Sequence, residues 1–341
     1  MNSNSLHSIT NTLMANPKGL LAADESNKSI CKRFLALNID CNEDSRRHYR
    51  QLLFSTPNIA QYISGIILYD ETIRQSNDHD VSFVKSLTDQ GIIPGIKVDK
   101  GLVDLTNFAG ETTTEGLDDL ATRLREYYSL GARFTKWRAA FAIDELNNLP
   151  SSTAIHANIH SLARYVTLVQ AAGMVPIVEP EVLYDGQHSI KSSQEVTSQV
   201  LRILFDTLKA YRVDLSGIIL KTSMVLAGKA NPHQSKPEEV AKTTLQVLKE
   251  RVPEEIGGIV FLSGGQSPTQ ATNNLNAIGL AGPQPWPISF SFSRAVQEPA
   301  LNAWQGKSKN IRLAQNQFIE LLRANSEARE GKYLSNNNLT K

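Results

Sequence analysis

Several large protein classes are closed to this sequence by what it lacks. It has only two cysteines in 341 residues, Cys31 and Cys41, ten positions apart and without Cys-x-x-Cys spacing. Neither a zinc ribbon nor a disulfide framework is expected from that pattern, and a reducing, cytoplasmic setting is the simpler reading. No excess of one charge exists either: 35 basic and 34 acidic residues leave a formal net charge of +1. Nucleic acid and anionic membrane surfaces therefore have no electrostatic footprint to meet, and any anionic ligand must find a local cluster. Apolar runs such as Ile66-Ile67-Leu68 are far too short to span a bilayer. The start, Met1-Asn2-Ser3-Asn4-Ser5, lacks the basic residues and apolar stretch of a secretory signal. Of seven histidines only His156 and His160 have an i, i+4 spacing, on an expected helix without a carboxylate placed as in a zinc motif. They read as solvated or partly packed, and neither a metal nor a cofactor is expected.

What is present is an alternation. Eight short apolar runs, at 20–24, 63–69, 92–99, 133–138, 174–181, 217–221, 258–263 and 287–293, are separated by segments of helical period. Several runs are almost continuous in Ile, Val and Leu, as parallel strands covered on both faces require. Helix starts are marked by Ser235-Lys236-Pro237-Glu238 and Ser267-Pro268-Thr269-Gln270, each with a capping serine and an early proline, and Gly279 is a plausible stop. Single apolar stripes run along 114–130 and 196–208. Eight strand and helix alternations without a linker point to an α/β fold, a (β/α)8 TIM barrel forming one domain over 1–341, with 1–15 and 334–341 as mobile tails. A doubly wound open sheet competes, but the first run ends Ala22-Ala23-Asp24-Glu25-Ser26 and has no glycine-rich dinucleotide turn.

Catalytic groups of such barrels project from the C-terminal ends of the strands. Those positions hold Asp24, Lys97, Asp99, Lys136, Arg138, Glu179, Glu181 and Lys221, and the last two loops add Ser263-Gly264-Gly265 and Ser293-Arg294. A surface amine would explain any one of these lysines, whereas a whole ring of charge at the ends of apolar strands is hard to explain as packing. Converging cations attract anionic substrates and disfavour one another's protonation, which favours a nucleophilic amine. Lys221, at the end of an Ile-Ile-Leu run, is a Schiff-base candidate; spacing alone does not separate it from Lys136. Glu179 and Glu181 share one strand face and can serve the proton transfers of carbinolamine dehydration. Asp24 can take the hydroxyl proton whose loss drives carbon–carbon cleavage. Ser263, Gly264 and Gly265, with the helix opening at Ser267 and the pair Ser293 and Arg294, make a phosphate site.

With these residues in view the chain resembles the class I (Schiff-base) fructose-bisphosphate aldolases over 20–333. The most specific strings are Leu21-Ala22-Ala23-Asp24-Glu25-Ser26, Gly95-Ile96-Lys97-Val98-Asp99-Lys100-Gly101, Gly110-Glu111-Thr112-Thr113-Thr114, Lys136-Trp137-Arg138, Val175-Pro176-Ile177-Val178-Glu179-Pro180-Glu181 and Phe261-Leu262-Ser263-Gly264-Gly265-Gln266-Ser267. The resemblance implies reversible cleavage of fructose 1,6-bisphosphate to dihydroxyacetone phosphate and glyceraldehyde 3-phosphate, in glycolysis and gluconeogenesis. It implies Lys221 as the imine-forming lysine, Glu179 as its general acid and base with Glu181 beside it, Asp24 at the C4 hydroxyl, and Lys136 near the reacting carbons. It places Lys97, Arg138, Ser29 and Arg33 at the 6-phosphate end and Ser263, Gly264, Gly265, Ser293 and Arg294 at the 1-phosphate end. A cytoplasmic homotetramer acting on a sugar phosphate, without nucleic-acid or membrane partners, is the expectation. A Schiff-base aldolase of another sugar phosphate, or a non-catalytic scaffold keeping the fold, are the alternatives.

Four departures from the family pattern stand out. Thr222-Ser223 replaces the usual Pro-Asn, Ser293 the usual glycine, and Lys28 a common glycine. The Cβ of Ser293 is expected to crowd the phosphate or resist a positive φ. The fourth is the end of the chain soon after Tyr333, without the tail and terminal tyrosine of the animal enzymes, so the proton transfer which that tail assists is not carried over.

Overall fold

The computed structural model describes residues 3–334. In chain order the strands are β1 (Gly19–Ala23), β2 (Ile63–Leu68), β3 (Ile93–Lys97), β4 (Gly101–Asp104), β5 (Thr112–Glu115), β6 (Phe134–Phe141), β7 (Val175–Val182), β8 (Ile219–Thr222), β9 (Gly258–Phe261) and β10 (Ile288–Phe292). Eight of them close a barrel in the order β1-β10-β9-β8-β7-β6-β3-β2. All eight neighbouring pairs are parallel. The eight apolar runs of the sequence supply these strands. Helices lie outside them, among them Ser152–Ala171, Ile190–Ala210, Pro237–Arg251, Pro268–Leu280 and Ile311–Arg329. The outer strand faces and the helices bury one large apolar cluster, as parallel strands require. No described helix is long and apolar enough to cross a membrane.

Inside the barrel a second, smaller cluster gathers Leu20, Ala22, Ile67, Phe134, Val175, Ile177, Ile219 and Val260. Strand side chains alternate faces, so each of these fixes which later residues also point inward. Gly95 gives way to Phe134 at this level: a Cβ there would lie 2.3 Å from the ring.

The lower end is plugged by α1 (Ser3–Leu13). Its Leu6 and Leu13, with Met14 after it, are buried against the inner cluster, and such burial stabilises by about 1.5–3 kcal/mol per large apolar side chain. Among the described residues this corrects the expectation of a mobile tail over 1–15, because Leu6, Leu13 and Met14 close the barrel bottom. The other expected tail falls, beyond Leu334, outside the described residues.

Three further expectations change. The helix expected over 114–130 is the shorter Leu120–Ser129, because β4 and β5 pair as an antiparallel hairpin and Gly116, at φ +125, turns the chain out of it. Lys236, not Ser235, is the N-cap of Pro237–Arg251, whereas Ser267 caps its helix by accepting from the Gln270 amide. Cys31 and Cys41 form a disulfide, with Cα atoms 5.3 Å apart. Cys31 lies on α2 (Asn27–Leu35) and Cys41 just before α3 (Glu43–Phe54). The chain reverses between these helices and brings together cysteines whose spacing carried no signal. Closing a loop of this length contributes about 2.5 kcal/mol in the chain-entropy account.

Candidate active site

Alternation along the strands builds the site. Leu20 and Ala22 face inward, so Asp24 does; Phe134 sets the same face for Lys136 and Arg138, Val175 and Ile177 for Glu179 and Glu181, and Ile219 for Lys221. On β3 the same parity runs from Ile93 through Gly95 to Lys97 and on to Asp99. The ring of charge at the C-terminal rim is thus one more layer of the barrel interior, laid over an apolar floor.

Lys221 is 3% exposed, and its Nζ lies 3.1 Å from Glu179 Oε1. Lys136 Nζ lies 2.7 Å from Asp24 Oδ2, 3.3 Å from Glu179 Oε2 and 4.0 Å from Asp99 Oδ2. Glu179 bridges the two lysines, yet its Oε2 makes no hydrogen bond. Lys97 Nζ is 2.5 Å from Asp99 Oδ1, and Arg138 pairs with Glu181. Four cations therefore face Asp24, Asp99, Glu179 and Glu181, and the unbalanced cationic crowding expected from the sequence is not there. The reason is geometric: the same inward parity that gathers the lysines gathers the carboxylates.

These pairs set the protonation states. Burial alone would raise the Asp24 carboxyl, but Lys136, Lys221 and Lys97 bring it down to about 2. Glu179 is likewise lifted by burial and pulled lower, on balance, by Lys221 and Lys136. For Lys136 burial favours the neutral amine, and Asp24, Glu179 and Asp99 outweigh it, so the amine is held charged. A folded-state value of about 2 against an ordinary 3.8 for Asp24 means stability that is complete above about pH 4 and lost as pH falls towards 2. The contribution is roughly 2 kcal/mol. Urea midpoints should accordingly fall steeply below about pH 4; midpoints that stay level down to pH 2.5 would contradict this assignment.

The expected phosphate residues divide. Gly264 and Gly265 adopt φ of +57 and +96, and a side chain at Gly265 would meet the Arg294 guanidinium at 3.5 Å. Arg294 is exposed beside this loop, and Ser263 is buried at its start. Ser29 and Arg33 do not join Lys97 and Arg138. Ser29 takes part in capping α2, with its amide and hydroxyl at 3.3 and 3.1 Å from the Ser26 hydroxyl. Arg33 donates to Glu25 Oε1 at 2.7 Å, and Arg50 to Glu25 Oε2 at 2.8 Å. Glu25 also accepts from Ser293, so Arg33 is connected to the loop after β10.

The departures find places. Ser293 has φ −111, so no left-handed strain arises there. Thr222 continues β8, buried, and the Ser223 hydroxyl donates to the Val182 carbonyl at 2.7 Å, tying the exits of β8 and β7. Lys28 is exposed, as are His156 and His160.

A family profile described as Glycolytic: Fructose-bisphosphate aldolase class-I matches residues 5–341. The chain belongs to the class I fructose-bisphosphate aldolase family. Among similar proteins, "Probable fructose-bisphosphate aldolase class 1" of Xanthomonas campestris pv. campestris is 50% identical over 322 residues, 94% of this chain and 96% of that one. "Fructose-bisphosphate aldolase 4, cytosolic" of Arabidopsis thaliana is 49% identical over 317 residues, covering 93% of this chain and 80% of its own. A solved structure of fructose-bisphosphate aldolase from Plasmodium falciparum, in complex with TRAP and a small-molecule inhibitor, superposes with a TM-score of 0.96 at 43% identity, covering 97% and 96% of the two chains.

Sequence reasoning missed some residues of this aldolase site. Glu25 was seen only as part of a string and Arg50 not at all, because α3 offers no pattern that points back to β1. Tyr184 was also missed: its hydroxyl donates to Gln234 at 3.2 Å and accepts from Gln270 at 3.3 Å, and its ring flanks Gly265. The sole signal was an aromatic residue just past a strand end.

Proposed function

We propose that this aldolase cleaves fructose 1,6-bisphosphate reversibly through an imine on Lys221, with Glu179, Asp24 and Lys136 as the proton-handling groups. The observation that carries the reading is the unbroken chain Lys221, Glu179, Lys136, Asp24, each within 3.3 Å of the next. The Lys221 amine, its proton given up towards Glu179, adds to the C2 carbonyl. Glu179 then returns a proton to the carbinolamine hydroxyl, which leaves as water. As the C3–C4 bond breaks, its electron pair moves to the iminium and makes an enamine, while the C4 hydroxyl proton passes to Asp24 and glyceraldehyde 3-phosphate departs. Protonation at C3 and hydrolysis of the imine release dihydroxyacetone phosphate and restore the amine. Lys136, held charged, keeps Asp24 and Glu179 apart as separate bases. Glu181 acts beside them by fixing Arg138.

Two phosphate regions support a bisphosphate: Ser263, Gly264, Gly265, Ser293 and Arg294 at one end, to which Arg33 is tied through Glu25, and Lys97 and Arg138 at the other. The reading places the enzyme in glycolysis and gluconeogenesis as a homotetramer without metal or cofactor, and in the cytoplasm on family likeness alone, since the Cys31–Cys41 bond removes the argument from cysteine usage. Family likeness supports the tetramer, and sedimentation equilibrium at four times the chain mass is the expected result. Substrate plus borohydride should give a reduced adduct mapping by mass spectrometry to the peptide that contains Lys221, with cleavage indifferent to chelators. An adduct on another lysine, or none, would remove the assignment.

A further inference from the structure

We propose that Ser293 is a positioning residue which acts through Glu25, its hydroxyl tying the loop that presents Arg294 to the carboxylate that also holds Arg33. The inference rests on the phosphate regions proposed above and gives a function to the residue that replaces the family glycine.

Ser293 Oγ donates to Glu25 Oε1 at 2.7 Å, and the same oxygen accepts from Arg33 Nη1 at 2.7 Å. Glu25 Oε2 accepts from Arg50 at 2.8 Å. Behind them Gln297 Nε2 donates to the Ala22 carbonyl at 2.6 Å and to Ser293 Oγ at 3.3 Å. Tyr49 donates in turn to Gln297 at 3.3 Å. Tyr49, Gln297 and Arg50 are 0%, 0% and 3% exposed. One buried polar unit thus joins β1, α2, α3 and the helix Arg294–Trp304.

The hydroxyl's only proton is committed to Glu25. It is not available to a phosphate, and the lone pair that Gln297 leaves free would repel one. Its effect on an anion is therefore indirect, through the position of the 293–294 backbone and of Arg294. Burial raises the Glu25 carboxyl, while Arg50, Arg33 and the Ser293 hydroxyl together bring it lower, so it stays an ionised acceptor for the bond from Ser293. A hydrogen bond to an ionised partner is worth more than a neutral one. Holding the loop before the ligand arrives strengthens ground-state and transition-state binding alike, which shows in KM more than in kcat.

The test is the binding of a hexitol 1,6-bisphosphate, which cannot be cleaved, by calorimetry, alongside cleavage kinetics. Ser293→Ala is expected to weaken hexitol bisphosphate binding and to raise KM, each by about tenfold, with a much smaller fall in kcat. Ser293→Thr keeps the hydroxyl and should stay within about twofold of the natural chain. Ser293→Gly should behave like the alanine variant. The double variant with Arg33→Lys should show less than the product of the two single effects, because both act through Glu25. Wild-type affinity in the alanine variant would overturn the proposal. So would a threonine variant as weak as alanine, a glycine variant that binds more tightly, or independent effects in the double variant. Because the hexitol is not cleaved, this outcome is separate from the function: a natural chain that binds it but gives no borohydride adduct would fail the Lys221 assignment alone.

Discussion

Lys221→Met is expected to lower kcat for fructose 1,6-bisphosphate cleavage by at least about 10⁴-fold and to abolish the borohydride adduct. The loss of the covalent route removes the electron sink, and no other group in the mouth can stand in for an iminium. Methionine is chosen because the lysine stem is 3% exposed, and an unbranched apolar chain of similar length fills such a site without an unpaired buried charge. Glu179 keeps its contact with Lys136, so the fold should survive, and unchanged hexitol bisphosphate affinity within about threefold would document that. Steady-state kinetics and peptide mapping on the same preparation decide the matter. A variant that retains a tenth of the natural kcat would show that cleavage does not pass through this amine.

How the site was legible follows from the period of a strand. Ile219 and Lys221, Ile177 and Glu179, Phe134 and Lys136, Ala22 and Asp24 are each two apart, so a polar residue in register with an inward apolar one had to emerge in the mouth. What alternation could not show was who pairs with whom across strands. Cation crowding was expected although the same strand ends carry carboxylates, because the sequence does not say which carboxylate meets which lysine; Asp99, two residues past Lys97, lies 2.5 Å from Lys97 and 4.0 Å from Lys136. Long-range partners left no local mark. Arg50 lies 25 residues from Glu25, and Ser293 lies 268 residues from it. For the same reason the Cys31–Cys41 bond was invisible: proximity came from the reversal between α2 and α3, not from spacing. Residues 1–15 were expected as a tail because nothing in a local window says that a barrel bottom needs a plug. The helix expected from residue 114 failed through the competing pairing of 112–115 with 101–104.

Glu179→Gln should separate binding from proton transfer. The amide keeps the size and one acceptor of the carboxylate, and Lys136 retains Asp24 at 2.7 Å and Asp99 at 4.0 Å, so neither the fold nor the phosphate regions should change. What the amide cannot do is take a proton from one atom and give it to another. Addition of the amine to C2 then stalls at the carbinolamine, whose hydroxyl leaves poorly without an acid. A fall in kcat of about 10²–10⁴-fold is expected, the usual range for removal of a general acid and base. The borohydride adduct should still form on Lys221 but slowly, since only the imine is reduced, and its rate should track kcat across a series of pH values. If the adduct forms at the natural rate while kcat falls, Glu179 serves a step after the imine.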